Sequence, residues 1–242
     1  MDSQTADLLL QLNQQFYSNF ASQFSATRQR LQPGVSRFLA TIPAHANLLD
    51  LGCGNGELAR ALAASGHAGS YTGLDFSAEL LQEAREKTPP GYPARYFQIN
   101  LAAAWEAPLG EASFDVVLAF AVLHHIPGAA FRQQFLANVS AWLRPGGRFT
   151  HSNWQFLQSP RLRARIQPWS RLDIPESAVD PGDYLLDWRR GGYGLRYVHY
   201  FSEAELGALA GQAGFSVLDT YYADGASGRL GLYQTWKKNA AA

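Results

Sequence analysis

A single cysteine, Cys53, leaves the chain with no intrachain disulfide, which fits a reducing cytoplasm. An excess of either charge is also missing: 20 Lys and Arg balance 20 Asp and Glu, a formal net charge of zero over 242 residues. Dedicated nucleic-acid binders usually carry a basic excess, so any nucleic-acid role must rest on a local patch or a partner subunit. No apolar run approaches the ~20 residues of a membrane span. The opening MDSQTADLLLQLNQQ has neither a basic n-region nor a small-residue cleavage site, so it does not read as a signal peptide. Internal repeats are absent, and low complexity is confined to Ala240–Ala242. What is present is apolar: 47% of residues are hydrophobic, enough for a sizeable core. The length suits one domain over 1–242.

Residues 5–24 repeat apolar positions at helical spacing, which predicts a helix with Leu8, Leu12, Phe16 and Phe20 on one face. A short helix follows Pro33, a residue tolerated at helix starts. Strand and helix then alternate. Strands are expected at 47–51, 71–75, 95–99, 114–120 and from 147, and helices at 55–65, 77–87 and 129–143. Such alternation implies a parallel sheet covered on both faces. Residues 153–195 break the pattern, rich in Trp, Arg, Tyr, Pro and Gly and without a long periodic element. A stretch of this kind reads as a lid or binding insertion, bounded here at 153–200. Ser202 and Glu205 have capping-box spacing, and two strands joined by the turn-rich Asp224–Gly228 close the chain.

The sharpest local signal is Leu48-Leu-Asp-Leu-Gly-Cys-Gly-Asn-Gly-Glu57. An apolar strand enters a loop with glycines at 52, 54 and 56, where the backbone can turn tightly and approach a ligand. Asp75 follows at the end of the next strand, placed to accept hydrogen bonds from ribose hydroxyls. The spacing is G-x-G-x-G, whereas a dinucleotide fingerprint is G-x-G-x-x-G. Asp50 would sit badly beside a pyrophosphate and well beside an ammonium group. S-adenosylmethionine (SAM) has an amino-acid end, a sulfonium and no phosphate.

These motifs resemble the class I SAM-dependent methyltransferases. LLDLGCGNGELA is similar to their first motif, YTGLDFS to the ribose strand end, FDVVLAFAVLHHI to the fourth-strand motif and LRPGGRFTHSN to the fifth. The resemblance implies an α/β, Rossmann-like class I methyltransferase fold. Its seven-stranded, mostly parallel sheet would run 3-2-1-4-5-7-6 with strand seven antiparallel, and helices would cover both faces. It further implies that Asp50, Gly52, Cys53 and Gly54 line the methionine end of SAM. Asp75 would hold the ribose, Phe76, Asn100 and Leu101 would lie by the adenine, and Ala119, Phe120 and Ala121 would run beneath the sulfonium. Tyr17 would join them from the N-terminal helices, which would cover the cofactor site over 1–45.

Tyr17 and Phe24-Ser-Ala-Thr-Arg28 before the first motif resemble, more narrowly, the eukaryotic tRNA wobble-uridine methyltransferases. So do Gly182-Asp-Tyr-Leu-Leu-Asp-Trp188 and Arg196-Tyr-Val-His-Tyr-Phe201. That family esterifies a carboxymethyl group on uridine, works on tRNA and uses a small zinc-binding activator subunit. Methylating a carboxylate needs no general base, only desolvation and positioning, which an arginine can provide in a bidentate pair. Arg28, Arg196 and His199 are the catalytic candidates, with His199 also readable as a satisfied structural histidine. His124 and His125, adjacent on what reads as an extended segment, would point apart and lack a third ligand nearby, so no metal is expected. Cys53 reads as a small loop residue. Two other functions stay open: a small-molecule O- or N-methyltransferase under an aromatic lid of Trp154, Trp169 and Trp188, and a non-catalytic SAM-binding subunit.

Overall fold

The computed structural model describes residues 1–20, 30–101, 109 and 111–240. In chain order the elements are α1 (Ser3–Asn19), α2 (Pro33–Leu39), β1 (Leu48–Leu51), α3 (Glu57–Ala64), β2 (Tyr71–Asp75), α4 (Ala78–Lys87), β3 (Ala94–Gln98) and β4 (Phe114–Phe120). Then come α5 (Ala129–Trp142), β5 (Leu143–Trp154), the short α6 (Pro160–Arg163), β6 (Ile166–Gln167), β7 (Asp183–Trp188), β8 (Gly194–His199), α7 (Glu203–Gln212), β9 (Phe215–Ala223) and β10 (Gly231–Lys238).

β1 and β2 are buried along their whole length, as strands covered on both faces must be. The main sheet runs β3-β2-β1-β4-β5-β10-β9, the order implied by the resemblance. β10 alone is reversed, pairing antiparallel with both β5 and β9. One face packs on α5 and α7 through Phe135, Val139, Phe149, Phe215 and Trp236. The other packs on α2, α3 and α4 through Phe38, Leu62, Tyr71, Leu81 and Tyr233. Each such side chain, when fully buried, contributes about 1.5–3 kcal/mol. α2 comes so close to the sheet that a Cβ on Gly34 would lie 2.3 Å from the Tyr233 ring. Asp224 ties the contact together, accepting from Gly34 N (2.9 Å) and from Tyr233 Oη (2.5 Å). No described helix is long and apolar enough to cross a membrane.

Two expectations are corrected here. The buried face of α1 is Ala6, Leu9, Asn13 and Phe16, while Leu8 is exposed. The cause is Asn13, which pairs with β8 as a strand would. Its amide accepts from Tyr197 N (2.8 Å) and donates to Tyr197 O (3.1 Å) and His125 O (3.2 Å). A polar residue fully hydrogen-bonded at the centre of the buried face rotates the helix away from its purely apolar stripe. Second, the segment after β5 is not irregular. β6, β7 and β8 form a separate three-stranded antiparallel sheet around Phe156, Leu162, Leu186 and Val198. Its strands are two to six residues long, too short to show a period.

Candidate active site

In open α/β sheets ligands bind beyond the carboxyl ends of the strands, where the strand order reverses. Here that point lies between β1 and β4, and a cavity of about 500 Å³ opens there, within the range of small-ligand sites. Its floor is the loop after β1. Gly52, Gly54 and Gly56 all have positive φ (74°, 54° and 74°). A Cβ on Gly52 would lie 2.6 Å from Val122 Cγ2, so the loop requires glycine for both conformation and space.

Two carboxylates face this loop. Asp75 is fixed by backbone amides, with Gly54 N donating to Oδ2 and Ser77 N to Oδ1, each at 2.9 Å. Carboxylate oxygens keep further lone pairs, which suits a pair of ribose hydroxyls. Asp50 is buried and accepts from Tyr71 Oη at 2.5 Å. Burial pushes its carboxyl up to about 7, the Tyr71 hydrogen bond opposing and the Asp75 charge adding. A ligand ammonium would restore its ionised form. Burial also pushes the Cys53 thiol up, so Cys53 is no nucleophile. A nucleoside carrying a cationic amino-acid end therefore fits this half of the cavity.

The other half is aromatic. The Arg196 guanidinium lies 4.6 Å from the Trp154 ring centre, 5.3 Å from Phe16 and 5.7 Å from Trp188. Tyr17 Oη meets His125 Nε2 at 2.6 Å, and His125 Nδ1 lies 3.2 Å from Tyr197 O. A carbonyl only accepts, so Nδ1 carries the proton and Nε2 accepts from Tyr17. Ala121, at the mouth of β4, has φ 57°. Its N–H faces Ser152, 3.0 Å from Oγ and 3.1 Å from the carbonyl, which holds the chain in that sparsely populated conformation.

Tyr17, Asp50, Gly52, Cys53, Gly54, Asp75, Phe76, Asn100, Leu101, Phe120, Ala121 and Arg196 all line this one cavity. Ala119 does not: it is fully buried in the α5-side core, on the opposite face from Phe120, and Ala121 joins the lining only because it lies past the strand end with a positive φ. His199 is also absent from the lining. It sits between Asp183 Oδ1 (2.6 Å from Nδ1) and Glu205 Oε1 (2.8 Å from Nε2), so its role is structural. Arg28 lies outside the described residues, as does Phe24. His124 and His125 belong to a 3-10 turn, Leu123–His125, and not to an extended segment; their rings lie 4.3 Å apart. Among the described residues no three His, Cys, Asp or Glu side chains are grouped to hold a metal. His125, passed over as a ligand, lines the cavity as the partner of Tyr17. Its signal in the sequence was only its place after the fourth strand.

A Rossmann-like sheet of this order, with a glycine loop and a ribose-type aspartate at its switch point, defines the class I methyltransferases. Residues 24–220 match the family model described as a methyltransferase domain, and the chain belongs to that family; it is a SAM-dependent methyltransferase. The tRNA (carboxymethyluridine(34)-5-O)-methyltransferase of Schizosaccharomyces pombe is 26% identical over 226 residues, 86% of this chain and 90% of that protein. Its mouse counterpart, ALKBH8, is 32% identical over 180 residues, 72% of this chain but only 25% of the mouse protein. A solved neighbour is the methyltransferase in the Haloferax volcanii complex with the Trm112 methyltransferase activator. It has a TM-score of 0.66 and 18% identity over 93% of this chain and 97% of that one, a likeness of fold alone.

If Asp75 holds the ribose, Asp75→Ala weakens S-adenosylhomocysteine (SAH) binding by about 2 kcal/mol, the scale of hydrogen bonds to a charged group. Calorimetry reads this directly. An unchanged dissociation constant in a folded variant would place the ribose elsewhere.

Proposed function

We propose that the protein methylates a carboxylate oxygen of a carboxymethyl-type modified uridine in tRNA. The observation that carries this reading is Arg196, caged among Trp154, Phe16 and Trp188 in the wall of the same cavity. A guanidinium held among aromatic rings keeps its planar fork oriented, and that fork matches a carboxylate. Trp154 and Trp188 beside it offer stacking surfaces for an unstacked base. The full-length similarity to the fission-yeast enzyme supports the same acceptor.

Bound SAM would supply an electrophilic methyl group, and Asp50, Asp75 and the glycine loop would hold it. The acceptor carboxylate is already ionised at neutral pH. Its oxygen lone pair forms the new O–CH3 bond while the C–S bonding pair returns to sulfur, and no proton moves. The chain therefore has to position and desolvate. Arg196 orients the carboxylate, and Arg28, outside the described residues, is the second cation this reading assigns to the acceptor. His199, fixed between two carboxylates, takes no part. A small activator subunit is the partner this reading includes, by analogy with the haloarchaeal complex.

The test incubates the protein, alone and with an activator of that class, with SAM and tRNA carrying carboxymethyluridine. Nucleoside mass spectrometry should show the methyl ester. Ester formation on carboxylates of a metabolite extract, with none on tRNA, would move the acceptor to small molecules. SAH binding without any transfer would favour the non-catalytic reading.

A further inference from the structure

Zero net charge hides a strong segregation within the insertion. Residues 155–172 hold four arginines and no acid, 173–187 five acids and no Lys or Arg, and 188–196 three arginines and no acid. The fold turns these blocks into two poles. In the β7–β8 pair Asp183 faces His199 and Trp188 faces Gly194, so the acidic and arginine-rich ends lie at opposite ends of the hairpin. At the acidic end Asp183 and Asp180 are engaged by His199, Tyr197, Arg132 and the Met1 amino group. At the other end one buried carboxylate, Asp187, serves two arginines, Arg189 (2.7 Å) and Arg165 (3.6 Å). Arg190 stands exposed beside them. The hairpin end is thus a cationic pole on a neutral protein.

Two features suit this pole to nucleic acid. Tyr193, at the turn, is 58% exposed, so its ring is open to a stacking partner. The turn is also braced. Trp188 Nε1 donates to Arg190 O at 2.5 Å, and a Cβ on Gly194 would meet the Phe20 ring at 2.7 Å. Trp188 and Arg196 line the cavity, so the ring that walls the acceptor end also anchors the cationic tip.

We infer that the β7–β8 tip binds single-stranded RNA, with Arg190 and the Arg165–Arg189 pair on phosphates and Tyr193 stacked on a base. An exposed aromatic among arginines serves single strands, whose bases are free to stack. A duplex would engage the cations and leave Tyr193 idle. The inference rests on the tRNA reading and adds to it the surface that presents the loop to the cavity.

The experiment measures binding of a synthetic anticodon stem–loop RNA and of a fully paired RNA duplex by fluorescence anisotropy over a salt series. Arg190→Glu and Tyr193→Ala are the variants; Arg189 is spared because Asp187 is buried against it. Arg190→Glu should weaken stem–loop binding about tenfold and lower the slope of log affinity against log salt by about 0.7 or more, one phosphate contact. Tyr193→Ala should weaken it about fivefold or more, with duplex binding unchanged. The SAH-induced rise in melting temperature should be the same in all three proteins, showing that the fold is intact. Stem–loop affinity and salt slope unaltered in both variants would overturn the inference and leave the tRNA reading standing. A wild-type protein that binds SAH but, alone and with an activator of that class, neither RNA would remove both.

Discussion

Replacing Arg196 with alanine is expected to lower methyl transfer to tRNA about a hundredfold, or ~2.7 kcal/mol, while SAH affinity stays within about twofold. Arg196 is 6% exposed and packed among Phe16, Trp154 and Trp188. If Arg196 serves the acceptor and Asp75 and the glycine loop hold the cofactor, as proposed, the substitution leaves SAH binding largely intact. Without the guanidinium a carboxylate would enter an aromatic slot unpaired, and burying an unpaired charge is costly. Arg196→Lys should recover little, because an ammonium is a point charge without the planar fork and stacks poorly on rings. Single-turnover kinetics at saturating SAM make the measurement, with an SAH melting shift to show that each variant folds. Turnover within about threefold of wild type would remove the carboxylate from this end of the cavity, and the small-molecule reading would gain.

The cofactor half of the cavity was legible because its signals are local. Gly52, Gly54 and Asp75 work through backbone conformation and through a strand end, both set within a few residues of sequence. The sheet order followed from the same motifs, since each marks the carboxyl end of a particular strand. Ala119 was misplaced for an equally local reason: Phe120, the last residue of β4, faces the opposite side of the sheet from Ala119, and Ala121, past the strand end with φ 57°, leaves the alternation and lines the cavity.

The acceptor half was less readable because distant segments build it. Arg196, Trp154, Trp188 and Phe16 come from β8, β5, β7 and α1, and no spacing rule joins them. The face of α1 was misjudged because its decisive residue is Asn13, a polar side chain that bonds to the β8 backbone across 184 positions. The three-stranded sheet was missed because β6 to β8 are only two to six residues long. The arginines and acids of the insertion already fall in separate blocks along the sequence; the hairpin register is what places those blocks at opposite ends of β7 and β8.

The same register assigns His199, and it predicts how the protein responds to pH. Burial lowers the imidazole pKa, but hydrogen bonds to Asp183 and Glu205 raise it, and the net result lies above the usual histidine value. Arg132, packed nearby, opposes the rise; Tyr197 Oη shares Asp183 Oδ1 at 2.6 Å. A raised pKa in the folded state means that protonation favours folding. The stabilisation is complete below about pH 6.5, the unfolded value, and disappears as pH climbs through the folded value. Wild-type melting temperature should therefore fall as pH rises from 6 towards 9, and His199→Gln should flatten that fall. Asp183→Ala should cost more, about 3 kcal/mol at pH 6, the scale for breaking a buried ion pair from one side. It strips the shared acceptor from His199, Tyr197 and the Asp180 amide at once. Because β8 carries both His199 and Arg196, the loss should also loosen the three-stranded sheet. Differential scanning calorimetry across the pH series decides the matter: equal slopes in wild type and His199→Gln would show that the imidazole carries no such charge.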